Sequence, residues 1–275
     1  VSSPTAAALW LVDRLKRAEA PLRRTVLPDR FHRVEVETSS RCNRGCHYCP
    51  VAVAPRPDHR MDDALFDDIL DQLAALGFRG RFSPHFYGEP LLDPRLPELL
   101  GRVRRKLPRA RIVVYTNGDP LTPRAARALL DAGTDLVLLT LEGDEPNAWL
   151  EAQATLSARE RRRFVVRRFQ RDVPRPFNRG GTVLFPGREV HQRHCVLPAS
   201  TLVIDAWGKV KLCANDYRGE ADWGDVRETP IAELWARPDY VALRRQLLAG
   251  DFRTPICRVC TGRAPAPAPL AVNGP

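Results

Sequence analysis

Seven cysteines hold the chemistry most readily read from this 275-residue sequence. Cys42, Cys46 and Cys49 lie in Cys-Asn-Arg-Gly-Cys-His-Tyr-Cys, so three thiolates can converge on one inorganic centre while leaving a four-ligand site one ligand short. An iron–sulfur cluster held in this way keeps one iron open to a small molecule. The second set is Cys195, Cys213, Cys257 and Cys260, spaced Cys-x12-Gly-x4-Cys and then Cys-x2-Cys. Four thiolates can close a 4Fe-4S cluster completely, or bind one zinc. An odd count excludes a disulfide framework and points to metal or redox chemistry in a reducing compartment, with the cytoplasm as the default.

Elements must carry these residues into place. Phe31–Glu37 reads as a first strand with the cysteine loop directly after it. Strands then alternate with helices: helix Asp62–Leu76, strand Phe82–Tyr87, helix Leu96–Leu107, strand Arg111–Tyr115, helix Pro123–Ala132, and the nearly all-apolar strand Asp135–Leu141. A helix over Asn147–Arg161, a strand over Arg163–Phe169 and a sixth short strand at Thr182–Phe185 follow. Repeated units of this kind predict an α/β fold, a partial (β/α) barrel of five to six parallel strands. After Gly187 the pattern changes. Thr201–Ile204 and Lys209–Leu212 read as a hairpin around Asp205-Ala206-Trp207-Gly208, and a helix over Ile231–Leu248 delivers the chain to Cys257 and Cys260. The organisation expected is a helical cap over residues 1–30 (helix Ala6–Ala20), a barrel over 31–187, a small cysteine domain over 188–263 and a disordered Pro/Ala tail over 264–275.

Composition narrows the class. At 44% hydrophobic and 28% charged the chain reads as globular, and no apolar run suggests a membrane span or secretory signal. The net charge of +10 comes almost wholly from arginine, the lysines being only Lys16, Lys106, Lys209 and Lys211. No basic stripe interleaved with aromatics marks a nucleic-acid surface.

The first cysteine set, with Tyr48 just before the last ligand, resembles the radical S-adenosylmethionine (radical SAM) superfamily, whose hallmark is Cys-x3-Cys-x2-Cys. Further segments at strand ends resemble it in order. Tyr87-Gly88-Glu89-Pro90 is similar to Gly-Gly-Glu-Pro with Tyr87 in place of the first glycine, Thr116-Asn117-Gly118 follows the third strand, and Thr140-Leu141-Glu142-Gly143 stands where many members have Ser-x-Asp-Gly. The resemblance implies that Tyr48, Gly88, Glu89, Asn117, Thr140 and Glu142 contact S-adenosyl-L-methionine. The segment from Leu202 to Cys260 resembles the SPASM/Twitch auxiliary-cluster group in its short Twitch form, and most of all enzymes of the 2-deoxy-scyllo-inosamine dehydrogenase type.

That resemblance implies two 4Fe-4S clusters and S-adenosyl-L-methionine as cofactors. The open cluster would generate a 5′-deoxyadenosyl radical, and the closed cluster would accept an electron as a carbinol of a small polar substrate becomes a ketone. An aminocyclitol or amino sugar in antibiotic assembly is the substrate class implied. Arg179, within Asn178-Arg179-Gly180-Gly181, together with Asp216 and Tyr217 after a cluster ligand, are the candidate substrate residues. The run Arg161-Arg162-Arg163 with Arg167 and Arg168 could steer an anionic substrate or a reducing partner such as flavodoxin or ferredoxin. Three rivals remain. An epimerase would need a spare thiol as hydrogen donor, and three plus four cysteines leave none unless His191 or His194 replaces a ligand. A peptide-modifying enzyme would need a leader-binding domain, for which the residues before Phe31 are too few. A zinc protein binding nucleic acid is the non-enzyme alternative. Neither nucleic acid nor membrane is expected as a partner.

Overall fold

A computed structural model describes residues 30–141, 148–169, 178–183 and 193–265 of the chain. The cap helix expected at Ala6–Ala20, Glu142, the boundary at Gly187, His191 and most of the tail lie outside the described residues.

One seven-stranded sheet organises the molecule. Its strands are β1 (Arg33–Val36), β2 (Arg81–Ser83), β3 (Arg111–Thr116), β4 (Leu136–Leu141), β5 (Phe164–Arg168), β6 (Thr201–Ile204) and β7 (Val210–Lys211), in the spatial order β5-β4-β3-β2-β1-β6-β7. All neighbours pair parallel except β6 and β7, which form the antiparallel hairpin expected around Trp207. The sheet is open, as a partial barrel requires. Of the sixth strand expected at Thr182–Phe185, Thr182 is in a turn and Val183 in a bend, and the other two residues lie outside the described ones; a sixth parallel strand is supplied by β6, which pairs Arg33 to Val36 with Thr201 to Ile204.

Strand periodicity of two sorts the side chains between the faces. Val34, Val36, Phe82, Ile112, Val114, Val137, Leu139, Phe164, Leu202 and Ile204 point to the helix-covered core. There they meet α2 (Asp63–Ala75), α3 (Leu96–Lys106) and α4 (Pro123–Asp131), whose apolar stripes include Phe66, Ile69, Leu70, Leu99, Leu100, Val103 and Leu129. A short α1 (Pro50–Val53) closes the first cysteine loop. The alternate residues Arg33, Glu35, Arg81, Ser83, Tyr115, Thr140 and Arg167 therefore share the opposite, inner face.

Two long helices predicted from periodicity are broken. Asn147–Arg161 becomes α5 (Ala148–Ala154) and α6 (Ala158–Arg161), because Ser157 and Glu160 form a reciprocal capping box that starts a new helix. Ile231–Leu248 becomes α8 (Ile231–Ala236) and α9 (Pro238–Ala249), after a short α7 (Leu197–Ser200) ahead of β6. Pro238 forces Arg237 out of the helical region, to φ −51° and ψ 129°. The last helix, α10 (Pro255–Cys260), carries Cys257 and Cys260. No helix among the described residues is long and apolar enough to cross a membrane.

Candidate active site

The loops at the carboxyl ends of β1, β2 and β3 are tied together by buried carboxylates. β2 stops at Ser83 rather than running to Tyr87, since Pro84 lacks an N–H for the ladder. The chain then folds back so closely on the segment entering the cysteine loop that a Cβ on Gly88 would lie 1.9 Å from the Ser39 carbonyl oxygen. Only glycine fits there. The Glu89 amide donates to the Arg41 carbonyl (2.8 Å), which fastens the loop beside Cys42.

Glu89 is 3% exposed and its carboxylate accepts from Thr116 Oγ1 (2.7 Å), the Asn117 amide (2.8 Å) and the Leu91 amide (3.1 Å). Burial pushes its carboxyl above the usual range, against the pull of those hydrogen bonds. Glu89 thus joins the end of β2 to the end of β3 with lone pairs to spare for one further donor. The Asn117 side chain reaches Asn43 in the cysteine loop (2.8 Å), and Asp119 receives Asn43 and Arg44. Tyr48 stacks on Phe169 at 3.6 Å, next to the end of β5, and Thr140 lies opposite Arg167 in the ladder.

Two residues that sequence reasoning missed organise the centre. Glu37, at the end of β1 and fully buried, accepts from the Tyr87 amide (2.9 Å), the Gly88 amide (3.1 Å), the Ala206 amide (3.3 Å) and both guanidinium nitrogens of Arg56 (2.6 and 3.0 Å). Arg56 in turn lies over the rings of Tyr217 (4.8 Å), Trp207 (5.5 Å) and Phe86 (5.6 Å). Glu37 continues the inward alternation of Glu35, a signal present in the sequence. Arg56 sits in an irregular Ala-Pro-Arg-Pro segment that carries no periodic signal at all.

The second cysteine set faces one small cavity. Cys195, Cys213, Cys257 and Cys260 line it together with apolar Leu197, Leu212, Phe252 and Ile256. Burial first, and then the neighbouring sulfurs, push Cys213 well above its ordinary value, Cys195 up to about 11 and Cys257 up to about 12. Four sulfurs round one small cavity repel one another as thiolates, and a multivalent iron cluster would supply the positive charge that reconciles them. The backbone is already aimed at sulfur: the Asn215 amide donates to Cys213 Sγ (3.4 Å), and the Asn215 side chain to Cys260 Sγ (3.6 Å). Among the described residues no three His, Cys, Asp or Glu side chains gather tightly enough for a single metal ion. A wider cavity of about 670 Å³ opens at the other end of the strands, around Phe31, Gly80 and Trp235, and no cysteine lines it.

Arg179 lies between the two sets. It has a left-handed φ of 51°, rare for a side chain of this size, in a 3₁₀ turn whose Gly180 packs against Ile256 of α10. Its charge bears on Glu35, Cys49, Tyr87 and Cys260, its guanidinium is 5.8 Å from the Tyr87 ring centre, and Nη1 reaches Asn215 Oδ1 at 3.4 Å. The other two candidate substrate residues are held differently. Asp216 is fully buried, with its carboxylate accepting from the Leu212 amide (3.1 Å) and the Glu220 amide (3.0 Å), so it shapes the cysteine loop. Tyr217 donates to the Ala54 carbonyl (2.6 Å) and walls the site through Arg56. The basic run also divides: Arg161, Arg162 and Arg163 are exposed, while Arg167 alternates to the inner face.

A parallel strand–helix sheet with a three-cysteine loop after its first strand, joined to a hairpin and helix that enclose four more cysteines, defines a class. The sequence matches the radical SAM superfamily over residues 36–193 and an iron–sulfur cluster-binding domain, SPASM, over residues 195–261. The chain belongs to the radical SAM superfamily and uses S-adenosyl-L-methionine with iron–sulfur clusters. Within it, the chain is 32% identical over 233 residues, 84% of this chain and 92% of the relative, to the S-adenosyl-L-methionine-dependent 2-deoxy-scyllo-inosamine dehydrogenase of Niallia circulans. The crystal structure of BtrN in complex with AdoMet and 2-DOIA superposes with a TM-score of 0.78 at 31% identity, covering 84% of this chain and 93% of that one. A GTP 3′,8-cyclase of Chlorobaculum tepidum is 37% identical over 122 residues, 42% of this chain and 36% of the cyclase.

Proposed function

We propose that the chain is a dehydrogenase that oxidises one secondary hydroxyl of a small polyhydroxylated amine, an aminocyclitol or amino sugar in antibiotic assembly, to a ketone. Cys42, Cys46 and Cys49 hold the 4Fe-4S cluster with the open iron, and Cys195, Cys213, Cys257 and Cys260 hold the closed one. The observation that carries this reading is the position of Arg179 between the two sets: its guanidinium lies 5.8 Å from the Tyr87 ring centre, its charge bears on Cys49 of the first set, and Nη1 is 3.4 Å from Oδ1 of Asn215, whose side chain donates to Cys260 of the second.

When bound, the open cluster and S-adenosyl-L-methionine supply a hydrogen-atom abstractor. The chain's own residues do the rest. Gly88, Glu89 and Asn117 form the rim that receives the methionyl end, Tyr48 and Thr140 line the nucleoside side with Glu142, and Arg179 orients substrate hydroxyls through its planar fork of donors. Glu35, on the inner face between Arg33, Arg81 and Arg179, takes up the hydroxyl proton. Glu37 does not compete for that role, because Arg56 and three amides occupy its carboxylate. A flavodoxin or ferredoxin in the cytoplasm reduces the first cluster.

Anaerobically reconstituted protein tests this. It should carry about eight iron atoms per chain, and deuterium at the reacting carbon of 2-deoxy-scyllo-inosamine or a related aminocyclitol should appear in 5′-deoxyadenosine as ketone accumulates. Colourless protein with stoichiometric zinc, or a product epimeric with its substrate, would sink the reading.

A further inference from the structure

The inner face of the sheet gathers more hydrogen-bond donors than the protein itself uses. Arg33 pairs with Arg81 and Glu35 with Ser83 across the β1 to β2 ladder, so these side chains stand together on that face. Arg81 donates to Glu35 at 3.4 Å, and its guanidinium lies 5.6 Å from the ring centre of Tyr115. His85 stacks on the same ring at 4.4 Å. Arg167 acts on Tyr115 through its charge, and Arg179 acts on Glu35. Ser83 Oγ, His85 Nδ1 and the Nε atoms of Arg81, Arg167 and Arg179 are all buried with no hydrogen-bond partner among the described residues.

Charge on this face is as unbalanced as the hydrogen bonding. Among the described residues the guanidinium groups of Arg81, Arg167 and Arg179 face one carboxylate, Glu35, and no carboxylate pairs with Arg167 or Arg179. Neither neighbouring acid offsets them: Glu37 is taken up by Arg56 and three amides, and Glu89 by Thr116 and the amides of Asn117 and Leu91. Burial first, and then Arg81, hold His85 down to about 3, so it stays neutral at working pH. Ser83 is completely buried beside Glu35. Buried polar atoms left without partners are costly, and the cost falls when a bound group completes them. Ring hydroxyls could accept from these donors but would leave the surplus positive charge unmatched. An oxyanion answers both.

We infer that the cluster of Arg81, Ser83, His85, Arg167 and Arg179 binds an oxyanion carried by the substrate, a phosphate monoester or a carboxylate on the amino sugar or aminocyclitol ring. The inference deepens the proposed function and rests on its seating of substrate over the inner face. Arg179 belongs to this cluster and also reaches Asn215 beside the second cysteine set. An oxyanion anchored here therefore limits which ring hydroxyl is presented toward the cysteine loops, and a ring without one loses that restraint.

Titration calorimetry on the unreduced two-cluster holoenzyme with S-adenosyl-L-methionine bound tests this, comparing glucosamine 6-phosphate with glucosamine and glucuronate with glucose. At least one anion should bind at least tenfold more tightly than its uncharged-group parent, and the pair that shows the preference names the oxyanion. Arg167→Gln with Ser83→Ala should cut that preference to within about threefold at unchanged iron content, while Arg161→Gln, the same loss of charge at an exposed position, should leave it intact. Ratios near one for both pairs would overturn the inference, as would a preference that survives Arg167→Gln with Ser83→Ala. An equal loss in Arg161→Gln would also overturn it, by reducing the effect to bulk charge. Ketone formation from 2-deoxy-scyllo-inosamine by the reduced enzyme separates the two levels. Ketone without any anion preference leaves the dehydrogenase reading standing and removes the oxyanion site; anion preference with no ketone from any aminocyclitol does the reverse.

Discussion

The Tyr87 hydroxyl donates to the carbonyl of Ala214 at 2.7 Å, one residue beyond Cys213 of the second cysteine set. Tyr87 belongs to the loop after β2, its amide is held by Glu37, and its ring packs edge-on against Tyr217 at 4.8 Å. Burial pushes the phenol far above its ordinary range, with Cys49, Cys213 and Glu35 adding to the shift and Arg179 opposing it. The hydroxyl is therefore a neutral donor at any working pH, placed between the two cysteine sets. Tyr87→Phe keeps the ring and removes the bond, leaving a buried carbonyl unmatched at a cost of about 1–3 kcal/mol. The expected result is fewer ketones per 5′-deoxyadenosine formed, read from a product-ratio assay, with S-adenosyl-L-methionine cleavage itself less affected.

Gly88→Ala brings a methyl to 1.9 Å from the Ser39 carbonyl, a distance that backbone alone can relieve. The loop must then lift off the segment entering Cys42. Iron analysis after reconstitution should show loss from the three-cysteine site while the four-cysteine site fills normally. Gly77, which has open space around it despite its φ of 64°, makes a contrasting control, since Gly77→Ala strains the backbone without crowding any cluster loop.

Removing Glu37 leaves the Arg56 guanidinium without its bidentate partner at a site 15% exposed. Breaking one side of such a buried pair costs about 3–5 kcal/mol. Glu37→Ala should thus lower the denaturation midpoint strongly. The double change with Arg56→Met should recover part of the loss, because no unmatched charge then remains; a double variant no better than the single one would show that the amides of Tyr87, Gly88 and Ala206 matter more than the arginine.

The pH dependence follows from Glu35. Burial raises its carboxyl above the usual range, against Arg81, Arg33 and Arg179, which lower it. The other groups sharing its inner face, Tyr115, Tyr87 and Arg167, are a neutral pair of phenols and a further cation. As proton acceptor Glu35 must be ionised, so ketone formation should be full above its raised value and fall as pH drops through it, with the acid limb above the ordinary carboxylate range. Glu35→Gln should remove that limb and slow ketone formation at least tenfold, while deuterium transfer into 5′-deoxyadenosine persists. Unchanged limbs in the variant would assign the proton elsewhere.

Cys257→Ala divides the two halves of the site. Cleavage of S-adenosyl-L-methionine should continue at a reduced rate, and ketone should be lost. Normal ketone yield from this variant would show that the electron takes another path.

Much of this was legible in the residues. The cysteine spacings, the Gly-Glu-Pro and Thr-Asn-Gly segments and the alternation of apolar residues in β1 to β5 are local signals, and local signals survive in a single sequence. The helix breaks at Ser157 and Pro238 were also written there, as a cap and an imino acid, but an apolar period that runs through both positions masked them. The β1 to β6 pairing and the Glu37 to Arg56 clasp were not legible, because each joins segments far apart in sequence or irregular in pattern. Tyr87 is the instructive case. In the motif it looked like a mere departure from glycine, and only the approach of Ala214 shows what the larger residue reaches.

The parallel ladder between β1 and β6 has one more consequence. Cys42 follows β1 by six residues and Cys213 follows β7 by two, so backbone hydrogen bonds, and not a sliding interface between separate bodies, set how far apart the two centres stand. Tunnelling between redox groups decays steeply with separation. A sheet that runs unbroken beneath both cysteine sets acts as a ruler for that separation.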